Sequence, residues 1–253
     1  PEAGQITLSE VVARVRQDTL EHVMELMADL LAYDNETLDE IKSMESLYDE
    51  IRDDPLYTRL FELANVHTAE EFGCDVPEGA YEQMAGAIED EDDWAEIREE
   101  PWFKSAQATA DEQDFFHWEL EFPEVFLGDD DLTSGGFDVV VGNPPYAPIQ
   151  RLSTSDTSYF GKTYQTTSGN YDIYIPFIEK GEDLIHEEGK FGYIVPNKVF
   201  RVDYGEPLRE LLSDNEQVSG VVDFGSNQVF ADSATTYTTL LFLSGEEQGE
   251  EFD

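Results

Sequence analysis

Residues Asn143, Pro144, Pro145 and Tyr146 follow directly on an apolar run in "FDVVVGNPPY", residues 137 to 146. An amide, two rigid residues and an aromatic ring in that order suit one kind of chemistry. A planar amino group conjugated to a ring, such as adenine N6, is a poor nucleophile because its lone pair is delocalised. Two acceptors aimed at its two hydrogens localise the lone pair and turn it toward an electrophile. The Asn143 side-chain carbonyl and the Pro144 backbone carbonyl are such a pair. The adjacent Pro145 stiffens the chain further, so the backbone carbonyl is preorganised. Tyr146 offers a ring face for stacking, a contact worth about 1–3 kcal/mol per base. The bland alternative is a strand-ending turn, which Asn-Pro often begins. Position favours chemistry, because ligands of open α/β sheets sit beyond the carboxyl ends of strands.

The elements needed to hold these residues are legible around them. "FDVVVGN" reads as a buried strand, and the prolines end it because they lack the N–H donor. "YDIYIPFIEKGEDLI", residues 171 to 185, reads as a helix, with Asn170 as an alternative N-cap. "KFGYIVP", residues 190 to 196, reads as a strand, and "EPLRELLS", residues 206 to 213, as a short helix. "VSGVVDF" and "TYTTLLFL", starting at 218 and 236, read as an antiparallel pair at one edge. Strand, helix, strand, helix, strand predicts a partly parallel α/β sheet. Upstream, "FFHWELEF" alternates Phe116, Trp118, Leu120 and Phe122 with polar residues, which predicts a half-buried strand. Asp129 to Asp131 with Gly135 and Gly136 predict a turn.

Residues 1 to 114 predict helices. Thr7 with Glu10, and Thr37 with Glu40, are candidate capping boxes ahead of apolar stripes. One stripe is Val12, Val15, Val23, Leu26 and Leu30; the other is Leu38, Ile41, Met44, Leu47 and Ile51. Asp54 before Pro55 predicts a third helix start, ending near Gly73. A fourth helix is predicted from about 78 to 99, with Glu89 to Asp93 on a solvated face.

The chain has 58 acids against 14 bases and a net charge of -44, yet 40% of its residues are apolar and 12% aromatic. So many apolar and aromatic residues argue for a folded core rather than disorder. An acidic, lysine-poor surface suits a molar-salt cytoplasm, where the Debye length falls to about 3 Å and self-repulsion is screened. The single cysteine, Cys74, excludes an intrachain disulfide and fits a reducing cytoplasm. The four histidines lack metal-ligand spacing, so no metal is expected. No apolar run is long enough for a membrane helix, and no signal peptide is expected, since no basic stretch with an apolar core stands at the start of this sequence. Charge is uneven: residues 1 to 131 hold 38 acids and 7 bases, whereas 132 to 253 hold 20 and 7. Between Pro144 and Tyr171 a single acid, Asp156, stands against Arg151 and Lys162 amid serines and threonines. That local loss of negative charge favours nucleic acid, with Arg151 and Lys162 as contacts to its backbone.

"FDVVVGNPPY" resembles motif IV of the amino methyltransferases, which use S-adenosylmethionine. Their acceptors are DNA adenine N6, some RNAs and protein glutamine. The blocks "FFHWELEFPEVF", "NYDIYIPFIEKGEDLI", "KFGYIVPNKVF" and "VVDFGSNQVFADSATTYTTLLFL" narrow this. They resemble the γ-class adenine-N6 DNA methyltransferases, nearest to the type IIG restriction–modification branch and its phage-defence relatives. The resemblance covers residues 115 to 244, and the helical first part resembles the long insertion those enzymes carry before motif IV. It implies an α/β fold, a partial Rossmann-like methyltransferase sheet preceded by an α-helical domain. The implied division is an acidic helical region, 1–114, and the C-terminal half of a methyltransferase domain, 115–253, with motifs IV to VIII.

By this resemblance Asn143 and Pro144 hold the target N6, Tyr146 stacks on the flipped adenine, and Phe230 touches that base from the last loop. Tyr171 and Asp172 line the cofactor side. The implied partner is double-stranded DNA, with the adenine extruded from the helix as base chemistry requires. One part of the family pattern has no counterpart. No strand upstream of Asn143 runs into a Gly-x-Gly turn, and "EFGCDVPEGA" has a helical context. The chain is therefore expected to be half of a domain, needing an N-terminal half and a target-recognition domain. Alone, it is expected to be inactive and to self-associate through the open edge of 137–143. Two rivals stand beside this. An RNA or protein-glutamine methyltransferase shares motif IV but not the Trp118 block or the Phe230 loop. A non-catalytic structural or regulatory fragment fits the missing cofactor motif.

Overall fold

The computed structural model describes residues 17–32, 37–126, 135–227 and 237–246, which fall in two compact units, 1–133 and 134–253. In the first unit, α1 (Gln17–Leu31), α2 (Leu38–Arg52) and α3 (Pro55–Glu71) start as their sequences dictate where those starts are described. Thr37 and Glu40 close a reciprocal capping box on α2. The Asp54 carboxylate takes the Leu56 and Tyr57 N–H groups ahead of Pro55, and α3 ends at Gly73, whose φ is +97°. The Thr7–Glu10 pair, Val12, Val15 and the 129–131 turn lie outside the described residues.

The single helix expected over 78–99 is two: α4 (Ala80–Ala87) and α5 (Glu91–Glu99). Asp90 breaks the run by capping α5 with bonds from Asp92 and Asp93 N–H, which puts Glu91 to Asp93 at a helix start where negative charge is favourable. Next come α6 (Pro101–Gln113), α7 (Trp118–Glu121) and α8 (Pro123–Phe126). Trp94, Tyr57, Phe103 and Met84 fill the core with no more than 2% exposure, and α3 packs on α6.

The strand expected at 115–122 is absent: this segment is a loop and a single helical turn. Its alternation does not sort its faces, since Phe116 is 53% exposed while His117 and Leu120 are buried. Burial at 117 and 120 has helical spacing. Glu121 pairs with Arg52, accepts from the Tyr48 hydroxyl, and the Leu120 carbonyl accepts from Tyr57. The segment is thus bonded to α2 and α3, with no strand to pair with among the described residues.

The second unit is a four-stranded mixed sheet, ordered β1 (Phe137–Gly142), β2 (Ile185–Pro196), β4 (Thr238–Ser244), β3 (Val218–Asp223). β1 and β2 are parallel, while β4 runs antiparallel to both β2 and β3. The edge pairing of the last two strands is as their sequences suggest, with β4 inserted beside β2. Between β1 and β2 lie α9 (Thr154–Thr163) and α10 (Tyr174–Asp183); α11 (Glu206–Asp214) precedes β3. α10 can approach β2 because Gly181 has no side chain: a Cβ there would stand 2.5 Å from the Phe191 ring.

Among the described residues of this unit, helices cover one face of the sheet. Phe191, Val195, Leu241 and Leu243 are buried against Ile175, Ile178, Leu208 and Leu212. On the opposite face Val139 is 59% and Val141 75% exposed, so β1 is not the buried strand its composition suggests. Its apolar pattern serves two faces, as in strands covered on both sides, but only the Val140 side is covered here. β1 is also an edge strand among the described residues.

No described helix is long and apolar enough to cross a membrane. The buried His117 ring bonds Asn65 Oδ1 at 2.8 Å, as a neutral imidazole can. Burial, helped by the positive neighbours His67 and Arg52, pushes its pKa down to about 4. The folded unit therefore binds this proton less well than the unfolded chain, and stability is lost as pH falls from about 6.5 toward 4. We expect a loss of roughly 2–4 kcal/mol across that window, read as a falling urea midpoint. His117→Gln should flatten this acid limb. An unchanged limb in the variant would show that His117 does not cause it.

Candidate active site at the carboxyl edge of the sheet

The β1–β2 ladder stops at Gly142 opposite Tyr193. Gly142 makes room for that ring, since a Cβ there would lie 2.9 Å from it. Asn143 follows, exposed, then buried Pro144, exposed Pro145 and half-buried Tyr146. One residue past the last β1–β2 pair, the Tyr146 hydroxyl donates to the Ile194 carbonyl at 2.8 Å. The side chain thus continues the link to β2 where proline cannot. Burial holds the Tyr146 hydroxyl pKa above its ordinary value. Tyr174, fully buried at the start of α10, meets the Tyr146 ring edge-on, with centroids 6.3 Å apart.

The chain beyond Tyr146 is stitched to the segment before α10. Ile173 N–H donates to the Ala147 carbonyl at 2.8 Å, Ile149 N–H donates to the Tyr171 carbonyl at 3.0 Å, and Pro148 pairs with Asp172. The helix predicted from 171 therefore starts at Tyr174, and Asn170 is not its cap. Tyr171 is buried, and among the described residues its hydroxyl finds no hydrogen-bond partner. Its neighbour Thr167 donates its own proton to the Phe160 and Tyr164 carbonyls. Asp172 is 8% exposed and accepts the Lys198 ammonium and the Tyr204 hydroxyl, the latter at 2.8 Å. Burial alone would depress Lys198; the Asp172 hydrogen bond and charge outweigh it and raise the pKa.

A second polar link ties β2's exit to β3's. Asn197 Nδ2 donates to Asp223 Oδ1 at 3.0 Å, and Gly225 N–H joins it at 2.9 Å. Those two bonds, Asn197's first, hold the exposed Asp223 carboxyl below the usual carboxylate range. Since β3 and β2 both oppose β4, the exits of β1, β2 and β3 share one edge.

Arg151 sits exposed on a short turn, Ile149–Arg151, and Lys162 in the last turn of α9. The segment 144–171 contains this helix, capped reciprocally by Ser153 and Asp156. Phe230 lies outside the described residues. The structure places Asn143, Pro144, Pro145 and Tyr146 just past the end of β1 and links the chain beyond Tyr146 to Tyr171 and Asp172, and it joins Asp172 to Lys198 and Tyr204, which no local pattern singled out. Among the described residues no group of acids, histidines and cysteines could hold a metal ion.

Exposed Asn143, buried Pro144 and the Tyr146 ring anchored on Ile194 thus stand together in sequence at the carboxyl end of a parallel strand. The model of the Eco57I restriction-modification methylase family matches residues 22–230. The match spans well over half of the chain, which therefore belongs to this family. A type II restriction enzyme and methyltransferase of Escherichia coli, RM.Eco57I, is 41% identical over 119 residues, 46% of this chain and 12% of that protein. The type II methyltransferase M.BstVI of Geobacillus stearothermophilus is 30% identical over 126 residues, 50% of this chain and 22% of its own length. M.PaeR7I of Pseudomonas aeruginosa, also a type II methyltransferase, is 32% identical over 115 residues, 46% of this chain and 20% of that protein. The matched segments thus span between 12% and 22% of these relatives.

The segment between α9 and α10 hangs on one buried carboxylate. Glu179 is 6% exposed and accepts Gln165 N–H and Thr166 N–H, each at 3.0 Å, and the Thr166 hydroxyl. Glu179→Gln sets an amide donor against these donors. We expect a loss of about 1–3 kcal/mol in stability with an unchanged denaturant slope, and faster proteolysis between 163 and 170. Wild-type stability in this variant would refute the anchoring role.

Proposed function

We propose that this chain carries the base-holding side of a DNA adenine-N6 methyltransferase of the restriction–modification type. The observation that carries it is the site's order along the edge: Asn143 exposed where the parallel ladder ends, Pro144 buried behind it, Tyr146 anchored on Ile194. The Asn143 carbonyl and the Pro144 carbonyl accept the two N6 hydrogens and draw the nitrogen lone pair out of conjugation. Tyr146 stacks on the extruded adenine, and Phe230 meets it from the last loop. Arg151 and Lys162 contact the phosphate backbone of double-stranded DNA. High salt weakens phosphate contacts, so base contacts supply more of the affinity in a halophile.

S-adenosylmethionine is the cofactor the family implies, and when bound it supplies an electrophilic methyl group. The residues present fit the amine's side of that reaction only. The described edge has no Gly-x-Gly turn after a strand, the Tyr171 hydroxyl is buried, and Asp172 is committed to Lys198 and Tyr204. On this reading a cofactor-binding half and a target-recognition domain complete the enzyme, and its place is the cytoplasm with the DNA. Residues 1–114 act as the acidic helical insertion. RNA or protein glutamine would offer a similar planar nitrogen, but the restriction–modification family favours DNA.

In the full-length protein, Asn143→Ala should lower the methylation rate by about 10²–10³-fold, the usual cost of removing a transition-state acceptor, with DNA binding retained. Near-normal turnover would refute the role. Tyr146→Phe keeps the stacking face but loses the bond to Ile194, so capture of the flipped base falls modestly; Tyr146→Ala should weaken it further but leave it measurable. Fluorescence of 2-aminopurine at the target position measures both, and equal enhancement by wild type and the Ala variant would exclude stacking.

A further inference from the structure

The polar groups around Asp172 form a chain of contacts that ends at the Tyr146 ring. Lys198 and Tyr204 both reach the Asp172 carboxylate. The Tyr204 hydroxyl lies 3.5 Å from that of Tyr174, and the Tyr174 ring supports Tyr146 edge-on. The same Asp172 pairs through its backbone with Pro148, two residues past Tyr146. We propose that Asp172 is a positioning residue for the base-stacking ring, acting through Tyr204 and Tyr174, rather than a ligand of the methyl donor. This inference rests on the methyltransferase reading above.

The physical case is one of limited freedom. A carboxylate only 8% exposed is costly unless it is paired, and Lys198 supplies the countercharge. The pair joins the turn after β2 to the segment before α10, and Pro148 joins that segment to the loop bearing Tyr146. The ring is then held at its hydroxyl by Ile194 and on its flank by Tyr174. A ring held at two points loses little freedom when a base stacks on it. Removing the Tyr204 hydroxyl leaves Asp172 with one partner fewer and takes from the Tyr174 hydroxyl its close neighbour. Lys198 and Tyr204 share one oxygen of that carboxylate, so the protein itself fixes its position.

The test uses the full-length protein with 2-aminopurine at the target position, calorimetric titration of S-adenosylmethionine, and single-turnover methylation. Tyr204→Phe removes one hydroxyl and is the milder variant beside Asp172→Asn; thermal unfolding checks that both fold. We expect Tyr204→Phe to lower base capture and the single-turnover rate roughly fivefold, the effect of one lost hydrogen bond, with cofactor affinity unchanged. Asp172→Asn should lower both further. In a Tyr146→Ala background, Tyr204→Phe should cost nothing more, because the ring it positions is gone. Weaker cofactor binding with unchanged base capture would overturn the proposal in favour of a ligand role for Asp172. An equal loss in the wild-type and Tyr146→Ala backgrounds would overturn it in favour of a general structural role. A wild-type protein that neither methylates nor captures the base would sink the methyltransferase reading itself, and this inference with it.

Discussion

Strand β1 ends at Gly142, just ahead of Pro144 and Pro145, which have no N–H to give a neighbouring strand. Much of the site follows from that one constraint. β1 stops opposite Tyr193, and β2 runs on to Pro196. The chain must turn off the sheet at its carboxyl edge, which leaves Asn143 exposed and Pro144 buried. The link that proline cannot make is made by the Tyr146 hydroxyl on Ile194. A side chain that replaces a ladder bond is fixed in direction much as a ladder bond is, so the ring is held at its hydroxyl by Ile194 and on its flank by Tyr174. Two acceptors and a ring plane are what a planar amine requires of its holder.

The charge distribution has a structural counterpart. Most acids in the helical unit are exposed or cap helix starts, as Asp54 and Asp90 do, where they complete orphan N–H groups. In the sheet unit several acids are used inside. Asp172 and Glu179 are buried, and each joins segments distant in sequence. Molar salt screens exposed pairs strongly and shielded ones less, so these interior links keep their strength where surface pairs lose it. An extremely acidic chain thus holds its edge site together with the few bases it has: Lys198 on Asp172, and Arg209 on the Val199 and Val202 carbonyls.

Local signals were legible and long-range ones were not. Thr37 with Glu40 and Asp54 with Pro55 marked helix starts because a cap is decided within four residues. The four strands were legible because apolar runs bounded by turn residues have few other uses. Asn143 and Tyr146 stood out for the same reason, since composition and position both pointed at them. Ser153 with Asp156 carried the same capping signal ahead of α9 and was passed over amid serines and threonines. "FFHWELEF" misled because period-two alternation says nothing about whether a partner strand exists; the Arg52–Glu121 pair and the Tyr57 bond supplied helical neighbours instead. The Asp172 network could not be read locally. Its Tyr204 partner lies thirty-two positions on, and only the parallel crossover brings them together.

One clue to that network was nevertheless present. Asp172 follows Tyr171 and precedes "IYIPFI", an apolar stretch in which an acid is costly unless it meets a base. The segment from 171 to the end of α11 offers Lys180, Lys190, Lys198, Arg201 and Arg209 as candidates. Lys180 is carried on α10 and Lys190 lies toward the start of β2, at the far end from the site. Arg209 is taken by two backbone carbonyls, and Arg201 stands 3.9 Å from Asp223. Lys198, the first base after β2 leaves the sheet, remains. An apolar strand that ends at one edge and a buried acid that needs a cation at the same edge are two demands. The turn after β2 meets both, which is why the same few residues build the ring's support and complete the fold.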